Sequence, residues 1–291
     1  MRSAMSYQIK SYFHQDTSTF THLLWDVESS ECAVIDPVMD FDSKAGKTAT
    51  VFIDEVLADV EEQGLIIKYV METHAHADHL TSAAYIREKT GAKLVIGARI
   101  TGIQKVFSGI FNEGSALRVD GSQFDVLLDD GEVLFLGETR IQSMATPGHT
   151  PACASYVVEQ RDVFVGDTLF MPDVGSARCD FPGGDAGTLY DSVQRVLALG
   201  DDVVLHMCHD YPPGKRDVRS AVTVAEQRRN NIHIGDQHSR DDFIRMRTER
   251  DAELEMPRLI FPSLQVNIRA GDFPEPESNG VSYLKIPMNQ F

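Results

Sequence analysis

Thr73-His74-Ala75-His76-Ala77-Asp78-His79 decides the reading of this chain. Three imidazoles and one carboxylate fall within six positions, directly after the β-type run Leu65-Ile66-Ile67-Lys68-Tyr69-Val70-Met71. Imidazole is the commonest protein ligand for mid-row divalent metals, and a carboxylate adds negative charge that a cation can use. A polar loop with chance histidines is the competing explanation, but neither a core nor a surface gains anything from three crowded imidazoles. The stretch reads as a metal site.

Working outward, three further segments look like loops at strand ends. Thr146-Pro147-Gly148-His149-Thr150 puts a histidine in a tight turn, and Gly166-Asp167-Thr168 follows the apolar run Val163-Phe164-Val165. His206-Met207-Cys208-His209-Asp210 ends another strand. Taken singly, each has an ordinary explanation: a solvated turn histidine, or a Gly-Asp helix start. Their order raises them. His149 follows His74 by 75 residues, Asp167 follows by 18 more and His209 by a further 42. Together His74, His76, Asp78, His79, His149, Asp167 and His209 suffice for one or two metals.

The 291 residues, 42% apolar and 24% charged, are enough for a full globular core. A net charge of −17 argues against nucleic acid and against anionic membrane surfaces. An anionic substrate must then be held by local Arg or Lys. Cys32, Cys153, Cys179 and Cys208 lie far apart, with no CxxC, and read as reduced thiols. No apolar run approaches about 18 residues, and Met1 to Ser6 lacks a charged start followed by an apolar stretch. The expectation is a cytoplasmic protein with neither signal peptide nor membrane span.

Tyr7 to Phe13, Thr19 to Trp25 and Glu31 to Ile35 have strand composition. Thr48 to Gln63 carries a helical apolar stripe, and Leu80 to Thr90 reads as a helix stopped by Gly91. Lys93 to Gly97 resembles a buried strand, and short strands fill Phe124 to Phe164. Helical periodicity returns at Thr188 to Leu199, then a strand at Val203 to Met207. Charged helical stretches, Asp217 to Asn230 and Asp241 to Leu254, precede a Pro- and Gly-rich tail. Strands followed by helices, twice over, predict two packed sheets with helices outside. One domain over 1–291 is the simplest organisation, with the segment from about 215 to 291 packing on it.

With these motifs the chain resembles the metallo-β-lactamase superfamily, and within it the persulfide dioxygenase (sulfur dioxygenase) branch. Ser18-Thr19-Phe20-Thr21-His22-Leu23-Leu24, Ala33-Val34-Ile35-Asp36-Pro37-Val38, Ala177-Arg178-Cys179-Asp180-Phe181-Pro182-Gly183-Gly184, Thr188-Leu189-Tyr190, His209-Asp210-Tyr211 and Val266-Asn267-Ile268-Arg269-Ala270-Gly271 carry the branch resemblance across nearly the whole chain. The stretch from His79 to His149 is longer than in mitochondrial members, and the tail resembles a bacterial subgroup. The resemblance implies an α+β fold, an αββα sandwich of two mixed sheets flanked by helices, with metal in a cleft between sheet edges. It implies one Fe(II) per chain on His74, His149 and Asp167, a set that leaves open positions for substrate and O2. His76, Asp78, His79 and His209 would surround that ion, with Asp78, His79, His209 and Tyr211 taking part in catalysis.

The implied reaction converts glutathione persulfide, O2 and water into glutathione and sulfite, in a protein that pairs as a homodimer. Glutathione's carboxylates call for basic partners: Arg178 first, then Lys215 and Arg216 after the Pro212-Pro213-Gly214 turn. Arg178 paired with Asp180 is the rival reading of that residue, solvation is the rival for Lys215 and Arg216, and core packing is the rival for Tyr211. Cys179 reads as a structural thiol, and His233 and His238 as solvated residues in helical surroundings. The closest alternative function is a glyoxalase II-like dinuclear hydrolase of glutathione thioesters. A non-catalytic binding module, for which a complete ligand set has no use, stands behind both.

Overall fold

A computed structural model describes residues 6–290; Met1 to Met5, most of the stretch read above for a signal, lie outside the described residues. The chain opens with β1 (Tyr7–His14), β2 (Thr19–Asp26), β3 (Glu31–Ile35), β4 (Val38–Asp42) and β5 (Lys47–Ala49). Helix α1 (Val51–Glu62) buries Ile53, Val56 and Val60, one stripe at helical spacing. Next come β6 (Ile66–Met71), β7 (Leu80–Thr81), α2 (Ala83–Thr90), β8 (Lys93–Gly97), α3 (Ile100–Ile110) and β9 (Val126–Leu128). The second half holds β10 (Val133–Leu136), β11 (Thr139–Ala145), β12 (Ala154–Val158), β13 (Asp162–Phe164), α4 (Ala186–Leu197) and β14 (Val204–His206). It finishes with β15 (Ala221–Thr223), α5 (Val224–Asn230), α6 (Arg240–Asp251) and α7 (Ile260–Asn267).

Two mixed six-stranded sheets result, in the orders β1-β2-β3-β6-β8-β9 and β10-β11-β12-β13-β14-β15. Strands β3, β6, β8 and β9 are parallel, whereas the second sheet is antiparallel except between β13 and β14. The period of two along a strand builds the layers. Ala33 and Ile35 of β3 face Tyr156, Val158 and Phe164 of the other sheet, forming the core between the sheets. Cys32 and Val34, on the opposite face, pack with Ile53, Ile86, Phe107 and Leu264 from the outer helices. Val157 and Val163 do the same against Leu189, Val193 and Phe243. This is the expected αββα sandwich.

The differences from the sequence reading have local causes. Leu80 and Thr81 pair with Met39 and Val38 as a strand, so the expected helix begins only at Ala83. Gly91 ends it in the left-handed conformation at φ 73°. Ala221-Val222-Thr223 joins β14 as an edge strand, and helix α5 starts after it. Helix α3 escaped notice because Gly102 and Gly109 mask its stripe of buried Ile100, Ile103, Gln104 and Phe107. Helix α7 escaped because it contains Pro262, which sits in the first turn, where a missing N–H breaks no helical bond.

The four cysteines are free and buried. Among the described residues no helix is long and apolar enough to cross a membrane. His233, expected in solvent, is buried in the loop between α5 and α6, where Ser176 N–H donates to its Nδ1 at 3.0 Å. His238 is half-buried in the same loop.

His22 of β2 is a neutral core residue: its Nε2–H donates to the Met207 carbonyl at 3.0 Å, and Ser11 Oγ lies 2.8 Å from Nδ1. Burial first, then repulsion from His206, pushes its pKa down from 6.5 to about 3. A depressed histidine stabilises the fold above its unfolded pKa, and that contribution is lost as pH falls through this window, by about 1.4 kcal/mol per unit. Unfolding stability measured in urea between pH 6.5 and 4 should therefore decline less steeply, by one proton, in His22→Asn; equal slopes would contradict the assignment.

Candidate metal centre

All four ligand-bearing segments leave the carboxyl ends of strands β6, β11, β13 and β14 at one end of the sandwich. Two glycines permit the approach. Gly148, at φ 139°, lies so near Leu189 that an added Cβ would sit 2.3 Å from its Cα. At Gly166, φ 52°, a Cβ would sit 2.6 Å from Thr73 Oγ1. Any side chain at either position would push His149 or Asp167 out of the cluster.

His74, His149 and Asp167 bring one ligand atom each within 4.8 Å of one another. Asp167 Oδ2 lies 3.9 Å from His74 Nε2 and 3.6 Å from His149 Nε2. Ligand bonds of about 2.1 Å around one ion set donor separations of roughly 3–3.5 Å, so the trio fits a small cation after slight contraction. The tautomers suit it too. His149 Nδ1–H donates to the Arg178 carbonyl at 2.7 Å, leaving Nε2 as a lone pair. Thr73 Oγ1 donates to Asp36 and so accepts from His74 Nδ1–H at 3.1 Å, with the same consequence. Burial, then the nearby His76 and His149, holds the His74 imidazole well below its usual pKa, so it offers a lone pair without proton competition.

A second donor set abuts the first. His76, Asp78, His79 and His209 also converge within 4.8 Å. His209 Nε2 is 3.3 Å from Asp78 Oδ2 and 3.4 Å from Asp167 Oδ1, and His79 Nδ1 is 3.6 Å from Asp78 Oδ1. Asp167 thus faces one set with each oxygen. Asp78 Oδ2, both His79 nitrogens, Asp167 Oδ1 and His209 Nε2 are buried without a hydrogen bond among the described residues. Orphaned lone pairs in such density are what a cation would satisfy. Burial pushes His79 down to about 4, while His209 and His79 overcome burial to keep Asp78 ionised.

His76 Nδ1 is likewise buried without a hydrogen bond among the described residues, while its other nitrogen turns toward two carboxylates. Its Nε2 lies 3.0 Å from Asp36 Oδ1 and 3.5 Å from Glu72 Oε2. Against the opposing effect of burial, these carboxylates hold its pKa well above 6.5. Asp36 also accepts from Thr73 N–H at 2.8 Å. Neither Asp36 nor Glu72 was singled out as a site residue from sequence, although both stand at the ends of strands that lead into the cluster. Burial raises Glu72 to about 7.

A cavity of about 280 Å³ opens onto Asp78, His149 and Asp167, with apolar walls that include Phe170, Phe181 and Leu254. Tyr211 stands at its rim, 44% exposed, its ring stacked 5.6 Å from that of His209. Arg178 lines the cavity but is committed: it grips both Asp180 oxygens at 2.6 Å and the Glu255 carbonyl at 2.6 Å. Arg216 pairs with Asp173 and with the buried Asp210, and Lys215 is exposed; neither lines the cavity. Arg216 is committed there because a buried carboxylate at Asp210 demands the nearest cation. Two cavity arginines were missed, both on α6. Arg247 is buried against Asp251, while Arg250 is exposed and its side chain makes no hydrogen bond or ion pair among the described residues.

Comparison with known proteins agrees with this geometry. The family described as the metallo-beta-lactamase superfamily matches residues 16–209. A probable metallo-hydrolase of Burkholderia pseudomallei (strain 1710b) is 51% identical over 290 residues, spanning 97% of this chain and 99% of its own. Glyoxylase B2 of Dictyostelium discoideum is 45% identical over 283 residues, 97% of each chain. The mitochondrial persulfide dioxygenase ETHE1 of Homo sapiens is 30% identical over 265 residues, 90% of this chain and 88% of that one. Among solved structures, ETHE1 from Myxococcus xanthus superposes with a TM-score of 0.73 at 30% identity, covering 91% of this chain and 100% of the other.

The pairing of Arg178 makes its removal a test of role. Arg178→Ala removes the guanidinium bonds to the exposed Asp180 and to the Glu255 carbonyl, a loss of up to about 1 kcal/mol at a solvent-accessible pair. The urea midpoint should fall; a wild-type midpoint with a weakened substrate KM would return Arg178 to the substrate.

Proposed function

The chain belongs to the metallo-β-lactamase superfamily, and we propose that within it the protein is an iron-dependent persulfide dioxygenase, oxidising glutathione persulfide with O2 and water to glutathione and sulfite. The observation that carries this reading is the composition of the trio at the cavity floor: two imidazoles and one carboxylate, with Asp36 engaging His76 Nε2 beside it. Two neutral nitrogens and one acid on one face are the ligand pattern of non-haem iron oxygenases. Ferrous iron held by His74, His149 and Asp167 would supply the redox chemistry between sulfane sulfur and O2.

The chain's own residues supply the rest. Phe170 and Phe181 exclude water from the cavity wall, favouring a sulfur group over a solvated one. Asp78, ionised and facing the cavity, accepts a proton from a water or holds it in place. Tyr211, whose hydroxyl burial and the neighbouring carboxylates keep protonated, donates a hydrogen bond at the rim. Arg250 is the cavity's uncommitted positive charge and binds a glutathione carboxylate.

A second reading has its own observation. Asp167 presents its other oxygen to His209, beside Asp78 and His79, a complete set for a second ion. Two metals sharing Asp167 would suit hydrolysis of a glutathione thioester by a bound hydroxide, and the glyoxylase name of the Dictyostelium relative leans that way.

Metal analysis with an oxygen electrode separates the two. The proposal expects about one iron per chain and O2 uptake on adding glutathione persulfide, with both lost in His149→Ala. Two zinc ions and anaerobic thioester cleavage would establish the hydrolase instead. Arg250→Ala should raise KM for glutathione persulfide roughly three- to tenfold at unchanged kcat, as uniform binding of an exposed ion pair requires. Unaltered KM would remove Arg250 from the binding site.

A further inference from the structure

We infer that Asn267, the last residue of α7, is a positioning residue of the metal centre, so that the C-terminal segment forms part of the site. Between β6 and β7 the residues from Glu72 to His79 have no ladder or helix of their own, yet His74, His76 and His79 are at most 1% exposed. Buried backbone groups in such a segment must find partners elsewhere. At its start the partner is Asp36, which takes the Thr73 N–H. At its end the partner is Asn267. Its Nδ2 donates to the carbonyls of His76 and His79, both at 2.8 Å, and its Oδ1 accepts from Thr81 N–H at 2.9 Å.

One carboxamide therefore uses both its protons and its oxygen on this single loop. The arrangement fixes the orientation of the amide, since a flip would set its oxygen against two carbonyls and its NH2 against an N–H. It also excludes aspartate, which has no proton to give. The two carbonyls bracket Ala77 and Asp78, so the bonds set the curvature that aims His76, Asp78 and His79 into the cluster. Asn267 is 4% exposed, and its helix packs with Ile260, Leu264 and Ile268 against the outer face of the first sheet. The anchor is thus rigid and lies 188 residues beyond the loop it holds. Outer-shell groups that bond ligating side chains directly are worth about 10–100-fold in metal affinity, and Asn267 acts on the same donors through their backbone. The inference is independent of which reaction the centre performs.

Asn267→Asp preserves size and the acceptor for Thr81 but abolishes both donors; Asn267→Ala removes all three bonds. Co(II) affinity by chelator competition should fall at least tenfold in both, with a changed visible absorption spectrum. Gln265→Ala is the control: its side chain bonds only the backbone of Phe261 and Lys285, and its Co(II) affinity should match the wild type. Wild-type affinity and spectrum in the two Asn267 variants would overturn the inference, as would an equal loss in Gln265→Ala. Should both variants fail to fold, NMR on the wild-type chain decides. The Asn267 side-chain NH2 resonances should shift as diamagnetic Zn(II) is added, and resonances that do not move would overturn it.

Discussion

A buried carboxylate at Asp36 constrains more of this structure than any other single group. It sits at the end of β3 in the left-handed region, φ 50°, where a non-glycine residue persists only if its surroundings hold it. They do: Thr73 supplies a backbone N–H and a hydroxyl, and His76 an imidazole nitrogen. A charge taken out of water needs such partners. In satisfying it, the loop after β6 acquires its shape. Because the Thr73 hydroxyl points at Asp36, it can only accept from His74, and so the proton on His74 is placed away from the ligand cluster. A packing requirement in one sheet thereby sets a lone pair 38 residues later.

From that loop the centre divides into two sets that meet at Asp167. One carboxylate oxygen looks toward His74 and His149, the other toward His209. The same residues can serve a lone redox ion or a bridged pair, and the superfamily relatives are named as a metallo-hydrolase, a glyoxylase and a persulfide dioxygenase. The proposed single-ion reading rests on the environment around the donors. Two carboxylates engage His76 Nε2, and the adjoining cavity is largely apolar in its walls. Electrostatics sharpens the point, since a chain of net charge −17 repels an anionic substrate everywhere except where a local cation stands free.

Arginine illustrates how sequence and structure part company. Arg178, Arg216, Arg247 and Arg250 are equivalent as letters near the motifs. In the fold, the first three neutralise Asp180, Asp210 and Asp251, and only Arg250 faces the cavity without such a pair. Nearness of an acid in sequence does not separate them, since Arg250 itself lies between Glu249 and Asp251. His233 went astray for a related reason: its polar neighbours imply solvent, but the loop folds it against Ser176.

The candidate ligand cluster was legible in the letters, because metal chemistry admits few residue types and the segments that bear them follow apolar runs with strand periodicity. The two-sheet sandwich was legible for the same reason: alternation along β3, β12 and β13 commits one face to each core layer. Tertiary structure alone decided how the donors group, which oxygen of Asp167 faces which set, and that α7 reaches back to hold the loop. Those features depend on distances between residues up to 191 positions apart. Such distances are settled by packing, which no local pattern of residue types encodes.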